Sequence, residues 1–194
     1  MGVESRSGEG SSLDQTAVVR LELNKIINEL ACQTILDIPC GDFNWMKFLK
    51  LEGIKYVGAD IVPSLVSALN EKYSDGTKEF ICLDIVANKL PRVDLIFCRD
   101  LFVHLSSKEI FSALRNIKSS QSTWLFTTNF TGSRRYVDTP YFSRGVPWRP
   151  INLSLEPFGF PPAEVTINEQ CTEGGGKFSD KSLSLYRVKD LPDY

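Results

Sequence analysis

LDIPCGDFNWM, Leu36 to Met46, sets an apolar run with one acid in it directly before Pro39, Cys40, Gly41 and Asp42, and a helix-like segment is expected from about Phe43. Strand, tight turn, helix is the opening unit of a ligand-binding α/β sheet. A dinucleotide fingerprint would carry glycines at the positions of Pro39 and Phe43. Proline removes a backbone N–H that a pyrophosphate would use, and a phenylalanine crowds the third position. The loop therefore suits a ligand with no phosphate to cradle better than it suits a dinucleotide.

Outward from this loop the pattern repeats. TILDI, KYVGADI, EFICLDI, VDLIFC and STWLFTTNF are short, nearly continuous apolar runs, as expected of strands covered on both faces of a parallel sheet. Helical spacing appears between them. A first helix is expected over about Leu13 to Leu30, a second starts at Pro63, and a third is announced by the capping pair Ser106 and Glu109. Alternation of this kind defines a doubly wound, mostly parallel α/β sheet. AEVTINEQ and KSLSLYRV flank Gly174 to Gly176 and read as a closing antiparallel hairpin.

Two stretches stand apart. Residues 1–12 are rich in Gly and Ser and read as a flexible arm ahead of a single domain over 13–194. Residues 131–162 turn to Pro, Gly, aromatics and Arg, and a loop this long inside a compact domain is expected on the substrate side of a site.

The 194 residues, 42% hydrophobic and 24% charged with a net charge of -2, are those of one ordinary globular domain without a general basic field. Neither nucleic acid nor a membrane is thus expected as a partner; no run is long enough for a span. The five cysteines form no C-x-x-C pair and His104 is the sole histidine, so no metal site is expected. Without an apolar leader the expected location is cytoplasmic. Cys82 and Cys98 fall in strand-like runs and are expected to act as small core residues.

Ligands of a doubly wound sheet bind outside the carboxyl ends of its strands. Those ends carry acids here: Asp37 in the first strand, Asp60 ending the second, Asp84 after the third and Asp100 after the fourth. Asp60 lies about 20 residues past the loop, where a carboxylate would accept from a pair of ribose hydroxyls. Asp84 suits an exocyclic amino group, with Ile85 against a purine face. Each acid alone has a structural rival, since an Asp at a strand end also caps helices and turns.

ILDIPCGDFNWM, YVGADIV, FICLDI and VDLIFCRDLFVHLS resemble, in order and spacing, the cofactor motifs of the class I S-adenosylmethionine-dependent methyltransferases. PCGDFNWM, CRDLFVHLS, WRPINL and PFGFPP are similar to a subgroup of them in which proline opens the loop. The resemblance implies a seven-stranded sheet with one antiparallel strand and S-adenosyl-L-methionine as cofactor. It implies that Asp37, Cys40 and Gly41, within a loop completed by Pro39 and Asp42, line the methionine end. Asp60 would hold the ribose with Ile61 on the adenine, Asp84 and Ile85 would bind the adenine edge and face, and Cys98 and Arg99 would lie under the methionine amino group.

The expected reaction is methyl transfer to an oxygen or nitrogen of a small-molecule or sugar-type acceptor. Asp100 and His104 are the candidate general bases. Arg144, Trp148 and Arg149 are the candidate substrate residues, because guanidinium forks and aromatic faces clamp anionic or planar groups. The competing readings are an NAD-linked oxidoreductase and a cofactor-binding domain without turnover.

Overall fold

A computed structural model describes residues 4–133, 141–143 and 146–194. Seven strands form the central sheet: β1 (Thr34–Asp37), β2 (Lys55–Asp60), β3 (Lys78–Cys82), β4 (Leu95–Cys98), β5 (Trp124–Phe130), β8 (Val165–Asn168) and β9 (Lys181–Arg187). Their order is β3-β2-β1-β4-β5-β9-β8. The first five are parallel, and β9 runs antiparallel to both β5 and β8. The order reverses beside β1, and this is where a doubly wound sheet opens a crevice.

The helices are α1 (Ala17–Glu29), α2 (Pro63–Tyr73) and α3 (Ser107–Ser119). Pro63 stands in the first turn of α2, where its missing N–H has no intrahelical partner to lose. Ser106 and Glu109 close a complete capping box on α3. α1 begins at Ala17, four residues later than its apolar spacing starts, because Leu13 and Asp14 belong to the turn that Thr16 and Arg20 tie down by bonds to the Ser12 and Leu13 carbonyls.

Period-two alternation divides each strand between two cores. Leu36, Val57, Ile96 and Leu125 face α3, whereas Ile35, Tyr56, Phe97 and Phe126 face α1 and α2. Gly58 in β2 is required by this packing, since a Cβ there would lie 2.6 Å from the Phe80 ring.

Three expectations need correction. No α-helix follows the first loop: Gly41 and Phe43 take positive φ, 54° and 58°, and only a 3-10 turn forms at Met46–Phe48. The reason is packing, because Phe43 is buried against Tyr56, Tyr73 and Phe80 with ring centroids 5.2–5.3 Å apart. Within residues 131–162 there is a two-stranded hairpin, β6 (Tyr141–Ser143) and β7 (Val146–Trp148), and not loop alone. Cys98 is a core residue, but Cys82 is exposed, because it ends β3 at the edge of the sheet.

Candidate active site

The same alternation sends one set of polar residues to one face at one end of the sheet. Asp37 continues the Ile35 row of β1, Asp60 the Tyr56 row of β2, Arg99 the Phe97 row of β4, Thr128 the Phe126 row of β5 and Lys181 the Leu183 row of β9. Because β9 is antiparallel, its first residue lies beside the last residues of β5, with Lys181 opposite Phe130. Residues far apart in sequence thus meet at the carboxyl ends of the parallel strands.

Asp37 is only 2% exposed, and its Oδ2 accepts a 2.5 Å hydrogen bond from the Tyr56 hydroxyl. Burial pushes its pKa up to about 7; the Tyr56 bond opposes this, Asp60 adds to it and Arg99 opposes it. Its burial favours the neutral form, and a cation beside it would favour the ionised one. Asp60 accepts from the Val62 N–H through Oδ1 at 3.0 Å, and Oδ2 has no partner among the described residues. Ile61, next in the chain, is 65% exposed, which is unusual for an isoleucine beside a buried strand end. Asp84 is half-buried, its Oδ1 accepting from the Val86 N–H at 2.8 Å. Ile85 points the other way, into the core against α3, and offers no exposed face.

The loop itself is shaped by neighbours. Pro39 follows a cis peptide bond. The Cys40 N–H donates to the Ala59 carbonyl at 2.8 Å, and burial pushes its thiol well above the ordinary range, so it is no nucleophile. Gly41 has φ 54°, which favours glycine, and a Cβ there would also displace the Ser7 hydroxyl, 2.2 Å away. Asp42 turns toward residues 4–12, accepting from Ser5 Oγ at 3.0 Å and from the Arg6 N–H at 2.6 Å. Residues 4–12 of the segment expected as a flexible arm therefore lie against the loop, and Ser5 is buried there.

Past β4 lies a buried ionic network that the sequence does not announce. Arg99 donates to Glu169 through Nη2 at 2.7 Å and Nε at 3.2 Å, and its Nη1 is 3.2 Å from Asp100. Lys181 Nζ stands 2.6 Å from Asp100 Oδ2 and 3.7 Å from Glu169. Glu169 follows β8 and its side chain is fully buried. Lys181 and Arg99 outweigh burial and hold the Asp100 carboxyl down at about 2. Asp100 has φ 56°, its N–H donates to Thr128 Oγ1 at 2.8 Å, and the 3-10 turn that follows has no side-chain cap, so capping is not the role of the Asp100 carboxylate. Trp45 lies 5.9 Å from the Arg99 guanidinium. The Cys98 carbonyl accepts from Thr127 Oγ1 at 2.7 Å.

His104 sits in the 3-10 turn Phe102–His104, half-buried, with Nδ1 2.6 Å from the Pro147 carbonyl. A carbonyl only accepts, so Nδ1 carries a proton, and in the neutral ring the lone pair is then on Nε2. Trp148 packs on Phe178 and Phe130, at 4.7 and 5.8 Å between centroids, and so helps hold the loop on the domain. Arg149 is buried beside the His104 turn. Arg144 lies outside the described residues.

Strand order, switch point and converging acids define a doubly wound cofactor-binding domain of the methyltransferase type. Residues 35–121 match the family model described as a methyltransferase domain, and the fold is the one seen in solved S-adenosylmethionine-dependent methyltransferases. Solved structures share the fold. An N1-methyltransferase of 1,6-didemethyltoxoflavin from Burkholderia thailandensis, solved with that compound and S-adenosylhomocysteine, is 14% identical, with 92% of this chain and 82% of that one covered at TM-score 0.64. A putative S-adenosylmethionine-dependent methyltransferase from Listeria monocytogenes is 12% identical over 89% and 98%, at TM-score 0.61. The N-methyltransferase NodS from Bradyrhizobium japonicum, in complex with S-adenosylhomocysteine, is 12% identical over 86% of each chain, at TM-score 0.57. Other matched structures are longer, and the chain spans 43% of one and 66% of another. Among curated protein sequences none matches. No helix among the described residues is long and apolar enough to cross a membrane.

Proposed function

We propose that the protein transfers a methyl group from S-adenosylmethionine to an oxygen or nitrogen of a small-molecule or sugar-type acceptor. The observation that carries this reading is the convergence of Asp37, Asp60 and Arg99 on one face at the sheet's switch point, with one Asp60 oxygen uncommitted and Asp37 buried without a cation. The donor set fits the cofactor. Asp60 Oδ2 meets the ribose hydroxyls, exposed Ile61 covers the adenine, Asp84 faces its edge, and Asp37 stands where an α-ammonium group gives it the missing positive charge. Methyltransferases solved with S-adenosylhomocysteine share this fold, which supports the choice of cofactor. A cytoplasmic setting belongs to the proposal, in keeping with five cysteines that are all free.

When bound, the cofactor supplies an electrophilic methyl group. The chain's own contribution is to hold the acceptor in line and remove its proton where one must leave. Asp100, clasped by Lys181 and Arg99, is too weak a base for that. His104 is better suited, with Nδ1–H anchored to Pro147 and the Nε2 lone pair open. Residues 131–162 form the acceptor side, with Trp148 and Pro147 as its fixed edge.

S-adenosylhomocysteine should raise the melting temperature and NAD should not; stabilisation by NAD alone would sink the reading in favour of an oxidoreductase. Screening metabolite pools with labelled cofactor should then find an acceptor whose methylation falls in His104→Ala more than in Asp100→Asn. Binding without any labelled product would leave a domain without turnover.

Asp37 gives this reading a pH signature. Its folded pKa, about 7, lies above the unfolded value, so the stability it contributes is fully present below about pH 4 and is lost as pH rises through about 7. A bound ammonium prefers the ionised form and reverses that penalty. Affinity for S-adenosylhomocysteine should therefore rise with pH up to about 7 and then level off. Calorimetry in buffers of different ionisation enthalpy should show proton release on binding below that pH, and Asp37→Asn should flatten the profile. An unchanged slope in the variant would exclude Asp37 from the ammonium site.

A further inference from the structure

We propose that the methyl acceptor carries an oxyanion, a carboxylate or a phosphate, and that the Nε–Nη2 edge of Arg149 receives it. The proposal rests on the methyltransferase reading and specifies its acceptor.

Three cationic side chains are buried among the described residues: Arg99, Arg149 and Lys181. Two of them meet carboxylates, Arg99 on Glu169 and Asp100 and Lys181 on Asp100. Arg149 meets none. It is 2% exposed, its Nη1 donates to the Leu105 carbonyl at 2.5 Å, and Nε and Nη2 have no partner among the described residues. Glu109 is near enough to feel the charge of Arg149, but its Oε2 is already taken by the Ser106 N–H at 2.7 Å and Oγ at 2.6 Å in the cap of α3. The two idle donors are the adjacent pair on one side of a planar guanidinium. That edge matches the two oxygens of a carboxylate or phosphate, and it is the arrangement in which arginine binds an oxyanion bidentately. A buried cation with three of its five N–H donors idle is costly unless a ligand completes it.

Its position ties this edge to the reacting end. The Arg149 N–H donates to the Val103 carbonyl at 2.9 Å, and its Nη1 reaches Leu105, one residue beyond His104 on the other side. His104 in turn donates to Pro147 at 2.6 Å. Arg149 is thereby clamped to both sides of the proposed base, in the turn that follows Asp100. Trp148 points to the opposite face, on Phe130 and Phe178, so consecutive residues divide the work of holding the segment and presenting the charge.

The experiment uses the full chain saturated with S-adenosylhomocysteine and follows the Arg149 side-chain Nε–H resonance, assigned through bonds from its own backbone. Acetate and inorganic phosphate are titrated separately, with acetamide as the neutral control. A saturable shift with acetate identifies a carboxylate site, one with phosphate a phosphorylated acceptor, and either supports the proposal. The backbone N–H resonances of Val103 and Leu105, which Arg149 bridges, are followed in the same titrations; Arg149→Lys keeps the charge without the fork, and there those resonances should lose the saturable response while S-adenosylhomocysteine affinity stays within twofold of the wild type. If that variant does not fold, the wild-type titration still decides. No saturable shift with either anion, or an equal shift with acetamide, overturns the proposal. Failure of S-adenosylhomocysteine to bind is a separate result and strikes the cofactor reading instead.

Discussion

Asp60→Ala should weaken S-adenosylhomocysteine binding by about 100-fold or more while leaving the fold intact. Hydrogen bonds to a charged group are worth about 1.5–3 kcal/mol each, and a carboxylate that accepts from two ribose hydroxyls makes two of them. At about 1.4 kcal/mol per factor of ten, losing the pair removes at least two decades of affinity. The folded state loses less. Asp60 Oδ1 caps the Val62 N–H at 3.0 Å, and removing such a cap costs about 1 kcal/mol. Calorimetry of the variant checks the first quantity and thermal unfolding the second. Affinity unchanged from the wild type would take Asp60 out of the ribose role, and loss of the folded state would show that its capping bond matters more than this reckoning allows.

Glu169→Ala should be the most destabilising single change in the site, by about 3–5 kcal/mol. Its side chain is fully buried and takes two bonds from Arg99, at 2.7 and 3.2 Å. Without it, Arg99 loses both of those bonds, and Arg99 and Lys181 are left with Asp100 and with the more exposed Glu173, whose Oε2 is 3.6 Å from Lys181, so a buried guanidinium keeps only its Asp100 contact. For a domain of this size each kcal/mol lowers the melting temperature by about 2–4 °C, so a drop of about 6–20 °C is expected. Glu169→Gln keeps the shape and one acceptor and should fall between the two. A loss under about 1 kcal/mol for the alanine variant would show that Asp100 and water replace Glu169 without strain. Cofactor binding by the folded fraction should persist, because Glu169 is assigned to holding Arg99 in place and not to the ligand.

Much of the fold was legible because strand and helix periods are local properties. The runs around Ile35, Val57, Phe80, Ile96 and Phe126 mark parallel strands, and Ser106 with Glu109 marks a helix start, through residues a few positions apart. The same locality placed Asp37 and Asp60 at strand ends. It misjudged Phe43, whose spacing after the loop reads as helix. Contacts with Tyr56, Tyr73 and Phe80, all distant in sequence, draw it inward instead. Local reading also passed over Glu169 and Lys181, since an acid and a lysine beside a terminal hairpin carry no signal of their own. Their meaning comes from Arg99, 70 residues before Glu169.

From residue types and spacing alone, the chain is committed to a doubly wound sheet with acids at its carboxyl ends and a first loop ill-suited to phosphate. Those follow from alternation and from the donor that Pro39 lacks. Only the tertiary structure decided how the charges are matched. An ion pair depends on which side chains the strand order makes neighbours, and antiparallel β9 brings Lys181 to Asp100 while β8 brings Glu169 to Arg99. The same assembly leaves Arg149 buried with two donors idle, because whether a guanidinium finds a carboxylate is settled by what packs around it and not by the residues beside it in the chain.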